Sequence, residues 1–117
     1  RIPLTTGNQR RDFIYVDDVV SAYMSALKVG EFLVGFTDIN IGTGVNLKVR
    51  EFVSMLYEEF FIDKPKSKPI LGFGDIPTSN SEMMNVAVDM STSKIIGWEA
   101  KYDIRSGIKK MLQVENK

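Results

Sequence analysis

Apolar side chains recur at helical spacing in three parts of this chain. The strongest repeat covers residues 49–60, where apolar residues follow the i, i+3, i+4, i+7, i+8, i+11 order of an amphipathic helix. A second repeat, over residues 20–27, predicts a helix that ends near Gly30. A third follows Asp103, which is expected to cap a last helix. The apolar residues that define these three faces are Val49, Phe52, Val53, Leu56, Tyr57 and Phe60; Val20, Tyr23, Met24 and Leu27; and Ile104, Ile108, Met111 and Leu112.

Short extended segments are predicted between the helices, where aromatic and β-branched residues cluster. These strands are expected at residues 11–16, 38–41, 70–71 and 86–89. Asp17 or Asp18 is expected to cap the first helix, and Ser91 a short helix that ends at Gly97. The alternation of strand and helix predicts the α/β class, as a small mixed α/β domain that spans residues 1–117.

Composition narrows the possible functions. Fifteen basic and fifteen acidic residues give a formal net charge of zero, so nucleic acid and anionic membranes are not expected as partners. Lys64, Lys66 and Lys68 lie in a proline-broken stretch that is read as a solvated loop. The chain has no cysteine and no histidine, so no disulfide or metal site is predicted, and the commonest general base is missing. Without a long apolar run or a signal peptide, a cytoplasmic location is expected.

Two arginines precede the first predicted strand. Arginine presents a planar fork of donors that matches phosphate oxygens, although composition alone favours a solvated surface. The stretch over residues 7–20, GNQRRDFIYVDDVV, resembles the "G-x-Q-x-R-D-F-x-Y-V-x-D-V" signature of extended short-chain dehydrogenases/reductases, the nucleotide-sugar epimerases and dehydratases. The resemblance implies that Arg11, rather than Arg10, binds the diphosphate of a nucleotide sugar and that Gln9 lies against the nucleotide. Asp12 is then expected to be a structural hydrogen-bond acceptor.

A Gly-Thr-Gly turn at residues 42–44 follows the second predicted strand. A dinucleotide-binding turn is disfavoured, because the third glycine of that fingerprint falls at Leu47, and a structural turn is preferred. Similar family members carry "N-I-G-T-G" after their cofactor site, which matches residues 40–44. The resemblance implies that the polar residue at the start of the next helix touches the substrate phosphates. Asn46 has this position, and its alternative role is a simple helix N-cap; one side chain can do both.

Residues 74–84 resemble a "G-x-I-P-x-R-x-x-E-x-M" segment found in the nucleotide-deoxysugar reductases and synthases of the family. In that subset the arginine is a second arm on the diphosphate, and this chain has Ser79 in its place. A hydrogen bond to a charged group is worth about 1.5–3 kcal/mol, so the substitution lowers the expected substrate affinity. Lys66 or Lys68 would have to supply the missing charge.

Residues 89–99 resemble the "D-x-S-K-x-x-x-x-L-G-W-x-P" segment that closes family sequences. Here Trp98 is expected to anchor the core and Gly97 to stop a helix in the left-handed conformation. The Gly-Ile pair at residues 107–108 matches the terminal helix of the family. No chemistry is assigned to these residues.

The chemistry of the family requires a glycine-rich turn for the dinucleotide and a Tyr-x-x-x-Lys pair for proton transfer. No tyrosine in this chain is followed by lysine four residues later, and no Gly-x-x-Gly-x-x-Gly occurs. No catalytic and no cofactor-binding residue is therefore predicted here. NAD or NADP would belong to a parent enzyme whose N-terminal dinucleotide-binding domain is absent, so that this chain is the C-terminal portion of an extended Rossmann-type epimerase/dehydratase. A first residue of Arg1 fits either a fragment or a processed terminus.

The leading hypothesis is a domain that binds a nucleoside-diphosphate sugar through Arg11, Gln9 and Asn46 and has no turnover alone. Its parent would be an NAD(P)-dependent sugar epimerase, dehydratase or reductase. The alternative is a non-enzymatic module that keeps this fold for protein association. Under the first hypothesis, a helix that normally covers the cofactor domain leaves an apolar face bare. We therefore expect self-association, or packing on a missing N-terminal domain.

Overall fold

The computed structural model describes residues 1–32 and 35–115, and their regular structure consists of helices and short strands. The α-helices are α1 (Val16–Val29), α2 (Val49–Phe60) and α3 (Ile104–Glu115). The strands are β1 (Ile2–Leu4), β2 (Arg10–Arg11), β3 (Leu47–Lys48) and β4 (Leu71–Phe73). Short 3₁₀ helices lie at Gly30–Phe32, Pro65–Ser67 and Met90–Ile96. The predicted mixed α/β class is confirmed.

The strands form two ladders that join distant parts of the chain. β1 pairs in parallel with β4. β2 pairs antiparallel with β3, which places Arg10 opposite Lys48 and Arg11 opposite Leu47. Arg10 also forms an isolated parallel bridge to Asn85. The β2 segment is therefore held from two sides, by the start of α2 and by the segment after residue 84.

The helix predicted from the apolar repeat at residues 49–60 is confirmed by α2, but its predicted cap is wrong. α2 begins at Val49 and its N-cap is Lys48, whose backbone N–H donates to Glu51 Oε1 at 3.3 Å. Asn46 lies before β3 instead. The physical reason is the pairing of β3 with β2, which keeps the backbone extended through Lys48 until the Val49 N–H donates to the Gln9 carbonyl at 2.9 Å.

The helix predicted to end near Gly30 is confirmed, since α1 ends at Val29, but the start of α1 differs from the prediction. Only Arg10–Arg11 is a strand, so most of the predicted strand at residues 11–16 is wrong, and Val16 already belongs to the helix. The N-cap is Tyr15, which makes no side-chain capping bond. The carboxylate of Asp18 is buried and accepts the backbone N–H groups of Lys101 and Tyr102, each at 3.0 Å.

The extended segments predicted at residues 38–41 and 86–89 do not join a ladder among the described residues, so these two strand predictions are wrong. The amino-acid composition favours an extended backbone there, but a strand also needs a neighbouring strand with which to pair, and composition does not show whether one is present. The Asn40 N–H donates instead to the Thr92 hydroxyl at 3.0 Å. The 3₁₀ helix that follows is capped by Asp89, not by Ser91, because the Asp89 carboxylate accepts the Ser91 N–H at 3.0 Å.

The hydrophobic core lies between the inner side of α1 and the 3₁₀ helix at Met90–Ile96. Its buried members Ala22, Ile96 and Trp98 pack together, and Trp98 Nε1 donates to the Ser21 hydroxyl at 2.8 Å. The predicted anchor role of Trp98 is confirmed. So is the left-handed stop at Gly97, whose φ is 64°.

The outer side of α1 is apolar and bare. Five of its apolar side chains are between 52% and 76% exposed; they are Val16, Val20, Tyr23, Met24 and Leu27, and we call them the α1 apolar face. The chain is also flat, with principal extents of 55 × 39 × 17 Å and a radius of gyration of 17.4 Å. A compact domain of this length has a radius of gyration of about 13 Å. The described residues therefore bury little of the apolar surface that the sequence carries.

Replacement of Asp18 is expected to destabilise the fold. Asp18→Ala removes the buried carboxylate that accepts the backbone N–H groups of Lys101 and Tyr102, and we expect a loss of about 2–3 kcal/mol in the free energy of unfolding. Chemical denaturation measures the loss. The matched control is Asp17→Ala, since Asp17 is exposed and a change there is expected to stay within about 0.5 kcal/mol. Equal effects of the two variants would contradict the structural role of Asp18.

The cap of α3 predicts a dependence of stability on pH. Asp103 Oδ1 accepts the Ser106 hydroxyl at 2.6 Å and the Ser106 N–H at 2.7 Å, and these bonds lower the pKa of Asp103 from its ordinary value. Because the folded-state pKa lies below the unfolded one, this contribution is present above the unfolded pKa and is lost as the pH falls through the folded pKa. Asp103→Asn is expected to lose less stability than the parent chain when acidified below about pH 4. Thermal unfolding at several pH values tests this, and parallel curves would contradict it.

Candidate functional site

The β2–β3 ladder brings the predicted ligand residues into one region. Gln9 and Arg11 are two residues apart along β2 and its flank, and Asn46 immediately precedes β3. All three are half-buried. The Gln9 carbonyl accepts the Val49 N–H, so the ladder continues into the first turn of α2. The backbone pairing, and not a helix cap, therefore positions Asn46 relative to Arg11.

The guanidinium of Arg11 is held by two hydrogen bonds. One Nη1 N–H donates to the Arg10 carbonyl at 2.7 Å, and Nη2 donates to Glu82 Oε1 at 2.7 Å. The second contact is also an ion pair between Arg11 and Glu82. The side chains remain 28% and 34% exposed, respectively. The cation thus faces solvent in a defined orientation. Sequence reasoning assigned no role to Glu82, although it matches the acidic position of the third motif, because an acid in a loop does not reveal which base it contacts.

Two side-chain acceptors near this ladder lack a partner. Gln9 Oε1 and Asn46 Oδ1 are buried and accept no hydrogen bond from the residues that the structure describes. Buried polar atoms are nearly always satisfied by protein, water or ligand, because an unpaired one costs about 1–3 kcal/mol. Each of these two oxygens can therefore accept a hydrogen bond from a donor that is not part of the described chain.

The Gly-Thr-Gly turn is occupied by a carboxylate of the chain itself. Asp12 accepts the Thr43 N–H at 3.0 Å, the Thr43 hydroxyl at 2.6 Å and the Gly44 N–H at 2.9 Å. Gly42 packs so closely that a Cβ there would lie 2.8 Å from Asp12 Oδ2 and 3.0 Å from Val88 Cγ1. The predicted structural turn is confirmed, as is the role of Asp12 as a structural acceptor. The N–H groups that would cradle a phosphate already bind Asp12.

The segment that carries Ser79 supplies no second cation. The Ser79 hydroxyl contacts that of Ser81 at 2.8 Å and accepts the Ser81 N–H at 3.3 Å. Lys68 Nζ lies 5.5 Å from the centroid of the Tyr57 ring, in the C-terminal half of α2. Within the described residues, the ion pairs of Arg11 and Glu82 include neither Lys66 nor Lys68. The replacement expected from these lysines is not seen among the described contacts.

Tyr15, on the segment that follows β2, is not activated for proton transfer. Tyr15 packs edge-on against Tyr102, with ring centroids 5.0 Å apart. Desolvation raises the pKa of Tyr15 above its ordinary value, and the Asp17 carboxylate and Tyr102 raise it further. An activated phenol requires the reverse, a cation that lowers its pKa. Among the described residues, no cluster of three or more acidic, histidine or cysteine side chains could hold a metal ion.

An apolar cavity of about 110 Å³ lies apart from Arg11, between residues 13–15, α2 and α3. Its walls include the Phe13 and Phe52 rings, which stack with centroids 4.1 Å apart. Asp103 is the charged residue in its lining, so the cavity does not suit a phosphate. In the described parts of the chain, every helix is too short or too polar to cross a bilayer.

Comparisons with known proteins agree with these motifs. The model of the NAD dependent epimerase/dehydratase family matches residues 1–42. CDP-abequose synthase of Salmonella muenchen is 35% identical over 114 residues, which cover 97% of this chain and 37% of that protein. The putative UDP-glucose 4-epimerase of Methanocaldococcus jannaschii is 30% identical over 112 residues, which cover 91% of this chain and 31% of that protein.

Solved structures give the same result for the fold. The structure of MoeE5 in complex with UDP-glucose and NAD has a TM-score of 0.72 and 25% identity, with 98% of this chain and 38% of that chain covered. RMD from Pseudomonas aeruginosa complexed with NADPH has a TM-score of 0.73 and 23% identity, with 97% and 35% covered. The chain therefore spans about a third of the length of the proteins that it matches. The resemblance drawn from the sequence motifs is confirmed.

Proposed function

We propose that residues 1–117 form the nucleotide-sugar-binding part of a member of the NAD-dependent epimerase/dehydratase family of short-chain dehydrogenases/reductases. The observation that carries this proposal is the Arg11 guanidinium, held in orientation yet open to solvent. It lies in the ladder that also contains Gln9 and Asn46, whose buried amide oxygens lack partners among the described residues.

Arg11 has donors left for a diphosphate. A guanidinium carries five N–H donors in a rigid plane, and within the described residues two of its nitrogens bind the Arg10 carbonyl and Glu82. The remaining donors suit phosphate oxygens, which prefer paired N–H groups. Gln9 and Asn46 supply acceptors, so they complement the hydroxyl or amine donors of a nucleotide sugar.

The proposed ligand class follows from what the relatives have in common. The names of CDP-abequose synthase and UDP-glucose 4-epimerase share a nucleoside diphosphate but differ in base and sugar. The diphosphate is also the part that an arginine fork recognises. We accordingly propose that the chain binds a nucleoside-diphosphate sugar. In this proposal the parent protein performs NAD(P)-dependent epimerisation, dehydration or reduction in the cytoplasm.

We assign catalysis to residues of the parent protein that lie outside this chain. NAD or NADP would take up or deliver the hydride, and this chain carries neither the Tyr-x-x-x-Lys pair nor the glycine-rich turn for that chemistry. The Gly-Thr-Gly turn does not replace it, because Asp12 occupies the N–H groups of the turn. The 117-residue chain alone is expected to have no turnover.

Association through the α1 apolar face is the second part of the proposed function, and it is distinct from the alternative of a non-enzymatic association module. The five side chains of this face are more than half exposed, and the flat shape of the chain leaves them without cover. Large exposed apolar patches commonly mark interaction sites. We propose that this face packs on an N-terminal dinucleotide-binding domain in the parent protein, and on a second copy when the chain is alone.

The test of ligand binding is Arg11→Lys, with Arg10→Lys as its matched control. Lysine keeps the charge but loses the planar fork, so we expect the affinity for UDP and CDP to fall about tenfold, equivalent to about 1.4 kcal/mol. Among the described residues, the Arg10 side chain makes a long 3.5 Å bond to the Asn46 carbonyl, and its variant is expected to stay near the parent value. Isothermal titration calorimetry measures both. The absence of any heat with either nucleotide would refute the proposed function.

The test of association is Leu27→Asp in sedimentation velocity. Leu27 is the most exposed member of the α1 apolar face at 76%, so a charge there is expected to shift the chain from dimer or oligomer to monomer. Lys28→Asp is the control, because it introduces the same residue one position away and off this face. A parent chain that sediments as a monodisperse monomer at high concentration would contradict the proposed packing.

A further inference from the structure

Glu82 neutralises the residue that the proposed function depends on. Its carboxylate contacts Arg11 Nη2 at 2.7 Å, and both side chains are about one-third exposed. Ion pairs that are open to solvent contribute little to stability, typically about 0–1 kcal/mol. An incoming anion can therefore compete for Arg11 without breaking the fold.

The position of Glu82 is set by the backbone and not by this ion pair. The Arg10 N–H donates to the Met84 carbonyl at 2.6 Å, and the Val86 N–H donates back to the Arg10 carbonyl at 3.3 Å. The Glu82 N–H donates to the Ser79 carbonyl at 3.1 Å, which forms a turn before this pairing. The Glu82 carboxylate consequently stays close to Arg11 even when the ion pair opens.

The net charge at the pair is unfavourable for a diphosphate. The charges of Arg11 and Glu82 sum to zero, and the Ser79 side chain on the same turn, which hydrogen-bonds to Ser81, adds no positive charge. A diphosphate that reaches the guanidinium meets a carboxylate a few ångströms away. Like charges at that distance repel, and more strongly where the surroundings are partly desolvated.

We propose that Glu82 is a competing counter-ion, which a diphosphate must displace from Arg11 and which thereby sets the affinity of the site. This inference rests on the proposed nucleotide-sugar-binding function. Glu82 is a specificity-determining residue in this account: it penalises highly charged ligands more than weakly charged ones. A ligand gains access to Nη2 only when its phosphates bind more strongly than the carboxylate of the chain.

The experiment compares the parent chain with Glu82→Gln by calorimetry, with inorganic pyrophosphate, UDP and uridine as probes. Glutamine keeps the size and a hydrogen-bonding oxygen but removes the charge. Pyrophosphate and UDP, which carry similar negative charge near neutral pH, are each expected to bind about tenfold more tightly to the variant, and uridine without change. Asp75→Asn is the matched control, because it removes a charge from the same segment that is paired with Arg1 and not with Arg11. It is expected to leave all three affinities unchanged.

A second variant covers the case in which Glu82→Gln does not fold. Glu82→Ala removes the carboxylate together with its hydrogen bond to Arg11 Nη2, so pyrophosphate is again expected to bind about tenfold more tightly. Where both variants fold, equal gains identify the charge of Glu82, and not its hydrogen bond, as the source of the effect.

The outcomes separate this inference from the proposed function. Tighter pyrophosphate binding by Glu82→Gln supports the counter-ion role, including when the parent chain itself shows no measurable binding. Equal or weaker binding by the variant, with a parent chain that binds, overturns the counter-ion role and leaves the proposed function intact; it would mean that Glu82 serves to orient Arg11. If no probe binds to the parent chain or to either variant, the proposed function fails and this inference fails with it.

Discussion

The hydrogen bonds between Asp12 and the turn at residues 42–44 are the constraint on which the candidate site depends. Asp12 directly follows Arg11, and the turn lies two residues before Asn46. When the carboxylate binds the Thr43 and Gly44 N–H groups, the chain after the turn is brought alongside β2 and can pair with it. Gly42 is required at this contact, because a side chain would meet Asp12 and Val88. The ligand residues are thus positioned by the hydrogen bonds that the turn donates to the Asp12 carboxylate and by the ladder that these bonds permit.

A second carboxylate, that of Asp18, likewise joins two distant segments of the chain. Asp18 ties the first turn of α1 to the segment that enters α3, through two backbone N–H groups. Trp98 and Ser21 reinforce the same contact. With few apolar side chains fully buried, these polar contacts carry much of the specificity of the packing. The cost is that each contact leaves an uncompensated donor or acceptor when its partner is removed.

Much of the helical structure could be predicted from the sequence, because each helix shows its own apolar period. The bounds of α2 and the caps at Gly97 and Asp103 follow from local patterns of this kind. The strand at residues 11–16 could not be predicted correctly, since a strand needs a partner and composition does not name one. The cap role given to Asn46 failed for a related reason: pairing between β2 and β3 delays the N-cap of the helix by two residues, from Asn46 to Lys48.

In the candidate site, too, residues in a continuous motif could be predicted from the sequence, whereas contacts between distant segments could not. Arg11 was found through a motif that is continuous in sequence, and so was Asp12 as a structural acceptor. Glu82 could not be found so, because it lies 71 residues from Arg11, and the two segments come together through tertiary contacts such as the bridge between Arg10 and Asn85. The unpaired oxygens of Gln9 and Asn46 are likewise a property of packing that no residue pattern reveals.

Trp98 has a consequence for how this protein can be observed. It is the only tryptophan in the chain, it is buried, and its indole nitrogen donates to Ser21 on the inner side of α1. The opposite side of the same helix is the α1 apolar face. A partner that tilts or shifts α1 would alter the hydrogen bond and the solvent exposure of the indole, and with them the wavelength of its emission. The fold therefore contains an intrinsic optical reporter, placed directly behind the surface where association is proposed.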